Sequence, residues 1–248
     1  MSILKRLFGG NKTNEPSHID FSEFTELKKN DYGNFQELFE QNAGLSFEKQ
    51  MIFADVIGSN DWYIDMGKGS ISFGNLEFSI QIIGSLSFID NSWMWGWANS
   101  QSGMPENLLI QSNKLKEIGL LKNIKELSEG HFYVEEGFEH KMGMVVCGLF
   151  NSKSYYCANY GKGTLVMTID DHRIPKIDKN KLEKVTTYFP QLISGLDLNH
   201  KNAFINYLID REFKLKVSER MIKGLRNNKI INSEFDNHNR LKSLEGKL

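Results

Sequence analysis

The chain has 248 residues, 40% hydrophobic and 25% charged, with only four prolines, a balance that excludes an extended disordered chain and suits a main domain with a small appendage. A formal net charge of −1 gives no global pull toward polyanions, so no nucleic-acid partner is expected. Two cysteines are too few for a disulfide framework or a zinc knuckle, and no run of about 18 apolar residues occurs, so a cytoplasmic protein without a transmembrane segment is predicted.

Residues 1–20 read as a tail and linker. The opening Met1–Gly10 is basic and apolar but too short for a signal peptide; it would give at most a weak peripheral membrane contact. The main α+β domain is expected over 21–175. Phe35, Leu38, Phe39 and then Phe47, Met51 and Ala54 recur at helical spacing, which predicts two helices separated at Gly44.

Residues 62–99 carry the clearest pattern. Trp62, Ile64 and Met66 alternate with polar neighbours, Gly67-Lys68-Gly69 turns, Ile71 and Phe73 alternate, and Gly74-Asn75 supplies a two-residue hairpin turn. Leu76, Phe78, Ile80 and Ile82 keep the period of two until Ile83-Gly84, where a bulge would re-aim the strand toward Leu86 and Phe88. After Asp90-Asn91, Trp93, Trp95 and Trp97 would project from one face of a fourth strand. A helix led by Pro105 runs to Gly119, and a second is expected over 135–150. On that second helix Phe138, Met142, Val145 and Leu149 form an apolar stripe opposite Glu136, His140, Gly143 and Cys147.

A hairpin turning at Gly161-Lys162-Gly163 follows. Residues 176–248 then read as a helical segment, interrupted by Pro190, and a basic C-terminal β-meander that could form a sub-domain. The fold class is therefore α+β: an antiparallel β-meander packed against helices, with a small C-terminal β-rich lobe. Charge is segregated. Residues 15–61 hold ten acids and three lysines, residues 211–248 ten bases and five acids, so either the two ends face each other or the basic end meets an acidic partner.

The Trp62-Tyr63-Ile64-Asp65 strand, the Gly67/Gly69 turn, Ile71-Ser72-Phe73-Gly74, the Ile82-Ile83-Gly84-Ser85 step, the Trp93-to-Asn99 strand and Pro105-Glu106 resemble a bacterial family known only as a domain of unknown function. The resemblance spans roughly 36–170 and is most specific at the tryptophans. It implies an α+β bacterial protein and carries no activity or catalytic residue.

Signatures for nucleotide, dinucleotide, zinc-protease or nucleophile-elbow chemistry are absent, and no cofactor or metal is expected. Glu136, four residues before His140, could fix its tautomer or raise its basicity; convergence of Asp170 or His172 on the pair would make a metal site, and without it the pair is solvated. The tryptophans are either a core layer or an aromatic face for a partner. Three function classes follow. The first is a non-catalytic protein-binding module of the immunity or adaptor kind, with Trp93, Trp95 and Trp97 as partner-binding residues. The second is a small-ligand binder or weakly marked enzyme whose pocket, between the sheet and the 135–150 helix, is lined by Glu136, His140, Tyr156 and Asp170. The third is a peripheral membrane protein led by residues 1–10.

Overall fold

A computed structural model describes residues 21–247. The expected tail and linker at 1–20 lie outside the described residues. In chain order the elements are α1 (Phe35–Ile57), β1 (Trp62–Asp65), β2 (Ser70–Phe73), β3 (Leu76–Ser87), β4 (Ser92–Trp95), α2 (Ile110–Lys122), α3 (Lys125–Ser128), β5 (His131–Tyr133), α4 (Phe138–Leu149), β6 (Ser154–Asn159), β7 (Gly163–Ile169), α5 (Leu182–Gly195), α6 (His200–Asp210), β8 (Lys214–Val217), β9 (Met221–Arg226), β10 (Lys229–Phe235) and β11 (Leu241–Lys247). The class is α+β, with two antiparallel sheets.

The first sheet has the order β1-β2-β3-β4-β5, with β7 pairing β3 and β6 outside it. The meander over 62–95 is present with its tight Gly74-Asn75 turn, where Phe73 faces Leu76 and Gly74 takes φ 56°. The register slips between Ile82 and Gly84. Before the slip Phe78, Ile80 and Ile82 pack into a smaller core with Phe53, Phe73 and Met167; after it Leu86 packs into the larger core with Trp93 and Val166. One extra residue thus lets a single 12-residue strand serve both faces. Gly84 is required there, because a Cβ would lie 2.6 Å from the Met94 carbonyl and from the Trp93 ring.

Four expectations are corrected. The segment 35–57 is one helix of 23 residues, not two. Gly44 does not break it but lets α6 approach, since a Cβ would stand 2.4 Å from that of Tyr207; tertiary packing outweighs the roughly 1 kcal/mol helix penalty of glycine. Pro190 likewise sits inside a continuous α5. Pro105 precedes a short 3-10 turn, Glu106–Leu108, and the α-helix begins only at Ile110. The tryptophan strand ends at Trp95, with Trp97 in a 3-10 turn, Gly96–Ala98, although its ring still stacks on Trp95 at 6.2 Å.

Helix α4 lies between the first sheet and α1, so both of its faces are covered: Met142 and Val145 on one, Gly143 and Cys147 on the other. The second sheet, β11-β10-β9-β8, is not walled off. Ile222, Ile231 and Phe235 join Phe204, Tyr207 and Leu208 of α6, and these continue through Phe39 and Val145 to Trp93 in one core. The acidic and basic ends face each other here. Glu48 pairs with Arg211 and Glu23 with Lys216 at 2.5 Å, while Lys29 reaches Asp210, the acid just before the basic segment, at 2.8 Å.

Candidate functional site

A cleft of about 400 Å³ joins apolar and charged groups where the N-termini of α1 and α4 meet α3 and the edge strand β5. Its construction starts from the tryptophans. Asn123, in the left-handed region at φ 55°, ends α2 and reverses the chain into α3. Trp95 then pins the next turn twice. Its indole N–H donates to the Glu126 carbonyl at 3.1 Å and its backbone N–H to Gly130 O at 3.0 Å. Short strand β5 pairs along β4, and Val134 N–H closes it on Asn91 O at 2.8 Å. Gly137, at φ 84°, turns the chain into α4.

The floor is aromatic. Phe138 stacks on Phe35 with centroids 5.2 Å apart and meets Phe132 at 5.6 Å and Trp93 at 5.5 Å edge-on. Around it stand Glu126 and Glu129 from the α3 side, and Glu135 and Glu136 from the turn before α4. None of these four carboxylates has a salt-bridge partner among the described residues, whereas only Lys125 and Lys141 bring positive charge. Lys141 is turned toward the Phe39 ring, 5.7 Å from its centroid. Tyr133 on β5 is 75% exposed, and β5 ends the strand order, leaving its outer edge without a strand partner among the described residues. The cleft can receive an extended chain along a free edge and hold positive charge over an apolar floor.

The tryptophan strand, its meander and α4 all fall within residues 36–172, and the model of the Family of unknown function (DUF6882) matches this stretch, more than half of the chain. The chain belongs to that family. The match includes both walls of the cleft and ends before α5, α6 and the second sheet. No curated protein and no solved structure matches the chain.

The residues singled out from the sequence fall in different surroundings. Glu136 lines the cleft, one turn ahead of α4 and not on it. His140 faces β6, with Nδ1 3.8 Å from Cys157 Sγ, and its ring meets that of Tyr155 at 6.3 Å. Tyr156 points to the opposite face of the sheet, edge-on to Phe73 at 4.9 Å and Phe53 at 6.4 Å. Asp170, exposed just after β7, lines a separate basic cleft. Trp93 and Trp95 are fully buried and Trp97 half-buried, so the first two can act on a partner only by supporting Phe138 and α3.

The residue missed from the sequence at the α4–β6 seam is Glu139. It is buried beside Cys157, and its Oε2, like the Tyr155 hydroxyl, has no hydrogen-bond partner among the described residues. Loss of water pushes the Cys157 thiol and the Tyr155 hydroxyl well above their usual ranges, and the Glu139 charge adds to both. Burial raises Cys147 to about 11. A thiol held protonated is a poor nucleophile, and the raised Cys157 thiol sits 3.8 Å from His140 Nδ1. Among the described residues no group of three His, Cys, Asp or Glu could hold a metal ion, and no helix is long and apolar enough to cross a membrane.

Proposed function

We propose that the protein is a non-catalytic binding module, of the immunity or adaptor kind, whose α4–β5 cleft takes an extended basic segment of a partner protein. The observation that carries this reading is the set of four salt-bridge-free carboxylates ringing an aromatic floor beside a free strand edge. An incoming strand would pair its backbone with β5, set an apolar side chain on Phe138 and Phe132, and place Lys or Arg among the glutamates. The buried tryptophans contribute by holding that floor rigid, which lowers the ordering entropy lost on binding.

Fluorescence polarisation with labelled twelve-residue peptides alternating Lys with Val or Tyr tests this, against matched peptides with Glu for Lys. Saturable binding of the basic series, weakened roughly tenfold or more by Glu135→Lys/Glu136→Lys with an unchanged circular dichroism spectrum, is the expected result. Equal binding of both series, or no effect of the charge reversal, would overturn the reading.

A further inference from the structure

A second cleft, of about 440 Å³, has the opposite charge. It is formed by α1, the turn leading into β6, the residue after β7 and the segment before α5. Lys49, Lys153, Lys176 and Lys179 converge on it against one acid, Asp170. Lys179 is matched by Glu212 at 2.9 Å. Lys153 and Lys176 make no hydrogen bond or ion pair among the described residues. Lys49 is half-buried and held in place, its Nζ donating to Asn151 Oδ1 at 3.0 Å and Ser152 O at 2.8 Å. An ammonium has three donors, so one remains.

The fold therefore draws four like charges around a concave surface against one acid, and leaves Lys153 and Lys176 without an ion-pair partner among the described residues. Loss of water holds the Lys49 ammonium below its usual range and the Lys153 charge presses the same way, while Cys147, Asp210 and Asp170 oppose. An anion in the cleft would relieve that repulsion. Leu45, Pro175 and Ile177 supply an apolar wall beside the cations, and the exposed Asp170 carboxylate is a free acceptor. The volume is that of a metabolite site, and the cations meet at one place instead of tracking along a groove.

We propose that this cleft binds a small phosphorylated molecule, its phosphate held by Lys49, Lys153 and Lys176, its less polar body against Leu45, Pro175 and Ile177, and a hydroxyl or amino group donating to Asp170. The assignment is independent of the protein-binding reading of the α4–β5 cleft, which lies on other elements and has the opposite charge.

Isothermal titration of the full chain with ADP and with inorganic pyrophosphate tests it. Both should bind saturably at one shared site, each displacing the other. Lys153→Ala/Lys176→Ala should weaken both roughly tenfold or more, whereas Asp170→Asn should weaken ADP and spare pyrophosphate. The pair Lys114→Ala/Lys162→Ala, both exposed and outside the two clefts, removes the same charge elsewhere and should leave both affinities unchanged. All of these lysines are at least partly exposed, so native thermal unfolding is expected of each variant. Failure of pyrophosphate to bind saturably, or an equal loss in the control pair, would overturn the assignment.

Discussion

Replacing Glu48 by Ala removes the counter-charge of the most deeply buried cation described. Arg211 is wholly enclosed; its Nη1 donates to both Glu48 oxygens, at 2.6 and 2.5 Å, and its Nη2 to the carbonyls of Lys181 and Asp178 at 2.8 and 3.1 Å. Tyr207 donates its hydroxyl to the same carboxylate at 2.7 Å. Breaking a buried pair from one side strands the other charge, which costs about 3–5 kcal/mol, against a total stability of about 5–15 kcal/mol for a typical domain. Glu48→Gln keeps an acceptor for Tyr207 and should lose less. Glu48→Leu/Arg211→Met removes both charges and should recover most of the loss. Urea unfolding followed by circular dichroism on the wild type, Glu48→Leu, Arg211→Met and the double variant closes a double-mutant cycle. A loss below about 1 kcal/mol for Glu48→Ala, or strict additivity in the double variant, would refute the view that the pair is both dry and coupled.

Three further outcomes are expected. Gly44→Ala must push α1 and α6 apart and should lower stability by about 1–3 kcal/mol in thermal unfolding; a neutral or stabilising result would mean that the helices yield freely. The Arg173 guanidinium bonds both Asp171 oxygens, at 2.8 and 2.9 Å, and holds that carboxyl down at about 2. Its folded pKa is below the unfolded one, so its contribution to stability is full above the ordinary carboxylate range and is lost as pH falls toward about 2. An NMR titration should show the Asp171 midpoint return toward the ordinary range in Arg173→Gln, and an unmoved midpoint would count against the pairing. Finally, both thiols are held protonated by burial, so a disulfide reagent at pH 8 should react slowly with native protein and fully in denaturant; rapid native labelling of Cys157 would reopen a catalytic role for its contact with His140.

Where alternation was strict, the sequence was a reliable guide: Phe78, Ile80 and Ile82 marked one face of β3, and the slip at Gly84 marked the place where the strand changes its allegiance. Local rules misled where a distant element supplied the reason for a residue. Gly44 looks like a helix breaker until Tyr207 is seen against it, 163 positions away in the chain. The site was less legible than the fold. Glu136, singled out from the sequence, does line a cleft, but its pairing with His140 presumed that the helix began before Phe138. The cleft itself depends on Phe35, Glu126 and Tyr133, residues with no shared motif, brought together because Trp95 ties α3 beside β4. Lys153 and Lys176 carried no signal in sequence, since isolated lysines are unremarkable until the chain stacks them around one hollow.

The bond from Arg211 to Glu48 also crosses the limit of the family match, from α1 inside it to the end of α6 beyond it. A fragment ending at residue 172 would leave Leu38, Phe39 and Ala43 without α5, α6 and the second sheet, and would carry Glu48 with no cation to neutralise it. The matched stretch therefore shares its core and its most deeply buried ion pair with the segment that follows it. In this chain the flank of α1 that carries Glu48 is shielded by a segment outside the matched stretch, so the matched stretch taken by itself would expose that flank to water.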